Sequence, residues 1–79
     1  MKITVLYFAQ LADLAGKPEE SIELNSTSPC TLYNELKERY SFPHEFKQLQ
    51  VAVNHQLSAH DAQLQDGDNI AFLPPMTGG

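Results

Sequence analysis

Ser28-Pro29-Cys30-Thr31-Leu32-Tyr33-Asn34-Glu35-Leu36-Lys37-Glu38-Arg39-Tyr40 is the stretch from which the fold can be read. Ser28 offers an N-cap oxygen to the unpaired amides of a first helical turn. Pro29 suits the position after it, where no amide proton is needed and φ is already helical. Leu32, Tyr33, Leu36 and Tyr40 then return at helical spacing and make one apolar stripe. The pattern predicts a helix over Pro29 to Tyr40, broken by Phe42-Pro43. A single helix of this length must bury its stripe against other elements, and the sequence on either side supplies strands.

Upstream, Lys2 to Ala9 is rich in β-branched and aromatic residues, with Ile3, Val5 and Tyr7 on one face and Thr4, Leu6 and Phe8 on the other. Gln10 to Ala15 reads as a short helical turn closed by Gly16, after which Pro18 prevents continuation. Glu20 to Leu24 alternates, Ser21 and Glu23 facing away from Ile22 and Leu24, as a strand paired to the first requires. Downstream, Gln50 to Asn54 is a short apolar strand ending in a turn around Asn54-His55-Gln56. Asp66-Gly67-Asp68 is the strongest turn signal, and Asn69 to Leu73 is the last strand, with Ile70 and Phe72 opposite in parity to Ala71 and Leu73.

Two opening strands, a long helix, then further short strands is the order of an α+β domain. A β-grasp, ubiquitin-like roll fits best: a mixed sheet with one main helix, occupying residues 1–74, and a flexible C-terminal Gly-Gly tail at 75–79. In such a roll the helix covers one sheet face. If Ile3, Val5, Ile70 and Phe72 form the core, Phe8 and Leu73 are left together on the open face.

Length and composition narrow the function. A chain of 79 residues with 42% hydrophobic side chains makes one small domain, too small for a deep private cleft. Its single cysteine rules out an internal disulfide and points to the cytoplasm. The apolar run from Val5 to Ala9 is too short for a signal peptide or a membrane span. A net charge of −5, with Lys2, Lys17, Lys37, Arg39 and Lys47 scattered, disfavours nucleic acid and anionic membranes and favours a partner with a basic docking face.

The chemistry is expected at Pro74-Pro75-Met76-Thr77-Gly78-Gly79. Proline fixes φ, so the diproline projects the tail semi-rigidly, to a reach of roughly 20 Å when fully extended. Gly78 and Gly79 lack Cβ and can enter a narrow cleft, bringing an unshielded carboxylate with them. A carboxylate is a poor electrophile until adenylation gives it a leaving group.

Tyr7-Phe8-Ala9-Gln10-Leu11, Val51-Ala52-Val53-Asn54, Leu64-Gln65-Asp66-Gly67-Asp68 and Ala71-Phe72-Leu73-Pro74-Pro75-Met76-Thr77-Gly78-Gly79, in this order and at this length, resemble the small subunits of molybdopterin synthase. The resemblance implies a sulfur carrier that is not an enzyme on its own: the sulfur-donating subunit of a sulfurtransferase whose catalytic groups lie on a large subunit. An adenylyltransferase related to ubiquitin-activating enzymes uses ATP on Gly79, and a sulfur-donor protein converts the adenylate to a thiocarboxylate. The tail, through Pro75, Met76, Thr77 and Gly78, then enters the large subunit and gives sulfur to cyclic pyranopterin monophosphate, building the dithiolene of molybdopterin. It further implies a heterotetramer, docking through Phe8, Leu57 and Leu73, and no bound cofactor. Family members often carry a basic residue where this chain has Ala12 followed by Asp13.

Two other uses share the same tail: sulfur donation to thiamine thiazole, and conjugation to lysines as a ubiquitin-like modifier. A passive tail on a binding module is a third alternative. Cys30, beside the N-cap, reads as a small packing residue and not as a persulfide carrier. His44, His55, His60, Asp61, Asp66 and Asp68 show no metal-ligand spacing and read as turn and surface residues.

Overall fold

The computed structural model describes residues 1–75. Met76, Thr77, Gly78 and Gly79, to which the sequence assigns tail insertion and the reacting terminus, lie outside them. In chain order the elements are β1 (Lys2–Tyr7), α1 (Ala9–Ala15), β2 (Glu19–Glu23), α2 (Pro29–Tyr40), a 3-10 turn (Phe46–Gln48), β3 (Gln50–Val53), β4 (Gln56–Ser58) and β5 (Asn69–Leu73).

The five strands form one mixed sheet in the order β2-β1-β5-β3-β4. β5 lies at its centre, parallel to β1 and antiparallel to β3. Helix α2 occupies the predicted span, with the Ser28 hydroxyl accepting from the Thr31 amide at 3.2 Å. It stops one residue before Phe42-Pro43, because Ser41 takes a left-handed φ of 58° and its amide bonds back to Lys37. Phe42 is then free to turn into the core, where it is 2% exposed.

The stripe of α2 packs on Ile3, Val5, Tyr7, Ile70 and Phe72, the inward parity expected for β1 and β5. Tyr33 sits at the centre, its ring 5.1 Å from Phe72 and 5.9 Å from Phe42, and its hydroxyl donates to the His44 carbonyl at 2.8 Å. Burial, with the Glu45 charge nearby, pushes the Tyr33 hydroxyl up to about 12. On the short side, Gly16 caps α1 at φ 76° and Leu11 anchors it in the core. This is the β-grasp arrangement that the order of elements predicts.

Two side chains, Cys30 and His44, depart from their sequence readings, while His60 is exposed and in a turn as expected. Cys30 is exposed on α2, with the Asn34 amide 3.6 Å from its sulfur, so it is not a packing residue; its place one step past Pro29 turns it away from the stripe. His60 places Nε2 2.6 Å from the Leu49 carbonyl and stacks at 4.8 Å on Phe46, which ties the loop after β4 to the 3-10 turn. His44 has its Nδ1 buried instead of lying fully at the surface.

Candidate functional site

The face of the sheet opposite α2 carries a groove, and its shape follows from residue sizes along one cross-strand row. Leu6 pairs with Ala71, Ala71 with Ala52, and Ala52 with Leu57. Alanines on β5 and β3 make a low floor, and the leucines on β1 and β4 rise as walls on either side. The groove opens to about 250 Å³ and is closed at one end by Phe8 and Leu73.

Phe8, Leu57 and Leu73, assigned to docking from the sequence, are therefore brought together on one surface. Phe8 is 46% exposed and Leu57 68% exposed, while Leu73 is half-buried. Covering what remains exposed of Phe8 and Leu57 is worth roughly 1–2 kcal/mol each. The strand alternation turns Phe8 outward immediately after Tyr7 turns in, and Ala9 then takes a left-handed φ of 50° that leads the chain away into α1. The Phe8 carbonyl accepts from the Leu11 amide at 3.1 Å, so the residue is held by the start of the helix that follows it.

The groove lies at the root of the tail. Leu73 ends β5 and is followed directly by Pro74 and exposed Pro75. A body seated on the groove thus meets the chain where it leaves the sheet. Ala12, which stands where relatives of the resembled family often carry a cation, is partly buried against the core and Asp13 is exposed.

One cluster was missed by sequence reasoning. Glu20 on β2 accepts hydrogen bonds from Tyr7 at 2.8 Å and from Tyr40, and its other carboxylate oxygen lies 3.7 Å from Arg39 and 3.9 Å from Lys17. Burial pulls its carboxyl upward, but the two hydroxyls and the two cations outweigh that and hold it below the ordinary glutamate value. Burial, the bond to Glu20 and its charge drive the Tyr7 hydroxyl far above the ordinary tyrosine value. The signal was available: Glu20 shares the parity of Ile22 and Leu24, so it points to the covered side. Its bonding capacity is taken up by neighbours that join β1, β2 and α2, which makes the cluster a brace. Among the described residues, no three His, Cys, Asp or Glu side chains gather in a way that could hold a metal ion.

Residues 5–79 match the sequence profile of the ThiS family. The chain belongs to the ThiS family. Among curated ThiS-like relatives, a molybdopterin synthase sulfur carrier subunit of Escherichia coli (strain K12) is 35% identical over 98% of this chain and 99% of its own length. Among solved structures, a putative molybdopterin converting factor subunit 1 from Pyrococcus furiosus superposes with a TM-score of 0.76 at 32% identity, covering 96% of this chain and 99% of that one. A chain from the protein–protein complex of subunits 1 and 2 of the molybdopterin-converting factor from Helicobacter pylori 26695 gives a TM-score of 0.68 at 26% identity, with full coverage of both. The resemblance read from the Phe8, Asn54, Asp66 and Pro74 segments thus extends along the chain as a whole.

Proposed function

We propose that this protein is the sulfur-carrier subunit of a molybdopterin synthase. The observation that carries the reading is the placement of the Phe8, Leu57 and Leu73 groove at the root of the tail. A large subunit that covers the groove receives the tail in the same act, and the diproline limits the directions in which the tail leaves. Similarity along the full chain to a molybdopterin synthase sulfur carrier subunit supports the choice of partner.

In the proposed cycle a Gly79 carboxylate oxygen attacks ATP in an activating enzyme, releasing pyrophosphate. A persulfide sulfur on a donor protein then displaces AMP to give an acyl disulfide, and a reducing thiol breaks its S–S bond, releasing the donor and leaving sulfur in place of one oxygen. The thiocarboxylate is a nucleophile at neutral pH. Its sulfur attacks a side-chain carbon of cyclic pyranopterin monophosphate in the large subunit, the oxygen on that carbon departs, as the ring phosphate ester for one sulfur and as water for the other, and hydrolysis of the acyl intermediate returns the Gly79 carboxylate. Two such deliveries complete a dithiolene, and this chain contributes positioning and cargo while proton transfers belong to the partner. The cytoplasm, where ATP is at hand, is the proposed setting, and a heterotetramer the proposed assembly.

Reconstitution tests the reading. Thiocarboxylated protein, a competent large subunit and the pterin precursor are expected to yield molybdopterin, and a variant lacking Gly79 is expected to yield none while melting at the same temperature. Absence of product from the intact thiocarboxylate overturns the assignment. Lysine-linked conjugates in extracts, without any oxygen-for-sulfur mass shift on the free protein, favour the modifier instead.

A further inference from the structure

Asn54 and His55 form the two-residue turn between β3 and β4, with Val53 paired to Gln56. Both have left-handed backbones, φ 52° and φ 69°. That is the turn geometry hairpins prefer, and its second position is normally filled by glycine, which adopts it without steric cost. A histidine there carries strain that a glycine would remove, and strain retained at a surface position is a reason to look for a role.

The turn is held rigidly. The Asn54 amide donates to the Asn69 carbonyl at 2.8 Å, the Asn69 amide to Asn54 Oδ1 at 3.0 Å, and Asn54 Nδ2 to Asp68 Oδ1 at 3.0 Å. Asn54 therefore pins the hairpin tip to the start of β5. His55 is exposed, lines the apolar groove beside Leu57, and makes no hydrogen bond with any other described residue.

We infer that His55 is a specificity-determining contact of the docking face, donating an imidazole N–H to a hydrogen-bond acceptor on the subunit that receives the tail. The inference rests on the docking reading proposed above. Covering the groove takes the imidazole out of water, and a buried donor without a partner is costly. A subunit that places an acceptor against His55 satisfies it, and one that presents only apolar surface is penalised, so the residue discriminates between bodies of similar shape. The rigid turn presents the ring in advance and lowers the ordering cost of the contact.

Affinity of the full chain for the molybdopterin synthase large subunit from the same organism, measured beside thermal melting, tests this. His55→Gly is expected to leave Tm unchanged or raise it by a few degrees while weakening binding about three- to tenfold, the range of one lost hydrogen bond. His55→Asn tolerates the left-handed backbone and keeps an N–H donor, so it is expected to bind within about twofold of the original. A purely structural residue would not separate affinity from melting temperature in this way. Unchanged binding by His55→Gly, alongside weakened binding by Phe8→Ala, overturns the inference and leaves the docking reading standing. Unchanged binding by both overturns the two together.

Discussion

Tyr7 and Phe8 are neighbours in sequence, both aromatic, and they do opposite work. Tyr7 is 3% exposed, packs edge-on against Phe42 and Tyr40 at 6.0 Å, and donates its hydroxyl to Glu20. Phe8 is nearly half exposed and closes one end of a groove on the far face. What separates them is the strand's two-residue period, which sends one ring under α2 and the other to the side no helix covers. Hydrophobicity alone therefore says little about whether a residue holds this molecule together or joins it to another. The covering element decides.

The sharpest break in the comparison comes from truncating one ring on each face. Phe72→Ala on the covered side removes a side chain with no exposed surface and is expected to cost about 3–5 kcal/mol, a large share of the roughly 4–12 kcal/mol that a domain of this size has. Urea titration by circular dichroism reads the loss, and a midpoint unchanged from the parent would show that α2 does not seal that face. Phe8→Ala is expected to move stability by under about 0.5 kcal/mol while weakening large-subunit binding about 30-fold or more, as for a central interface aromatic. Loss of folding without loss of affinity would reverse the roles assigned to the two rings.

A smaller effect tests the brace. The Glu20 carboxyl titrates lower in the folded chain than its ordinary 4.5, so the stability it adds is fully present above that value and is lost as pH falls through the folded one. Glu20→Gln is expected to cost about 1–2 kcal/mol near pH 7, the scale of charge-assisted hydrogen bonds partly replaced by neutral ones. Urea midpoints collected from pH 7 down to pH 3 should show the gap between parent and variant closing at the acid end. A gap of constant size would mean that Glu20 contributes through packing and not through its charge.

The parts that could be read in sequence are those whose causes are local. Ser28 and Pro29 mark the start of α2 because capping depends on residues within one turn, and the Asp66-Gly67-Asp68 turn followed by the short apolar run Asn69 to Leu73 marks β5 because turn and strand propensities are local. Phe8 and Leu73 could be placed together because strand parity puts both on the open face, whereas Leu57 came only with the family resemblance. The groove between them was not legible, since its floor joins Ala52 and Ala71, residues brought opposite only by the register of β3 on β5. Tyr7 and Tyr40 reach Glu20 across 13 and 20 residues of chain, and His60 reaches Leu49 across 11, so their roles arise from tertiary closure. Strand β4 has three residues and one large apolar side chain, too short a run to show a period. His55 looked like an ordinary turn residue until its φ and its position beside Leu57 were known.

The central position of β5 reaches beyond architecture into synthesis. Its pairings join Thr4 to Asn69 and Val51 to Phe72, so β1 and β3 meet only through β5, which follows both in the chain. A polypeptide released before Leu73 has two outer halves with no middle between them, and the row of Ile70 and Phe72 that fills the core is missing. The domain therefore cannot close until Leu73 has been made. Chains that stop short of Leu73 lack the strand that joins both halves of the sheet, and cellular proteases can discard them as unfolded.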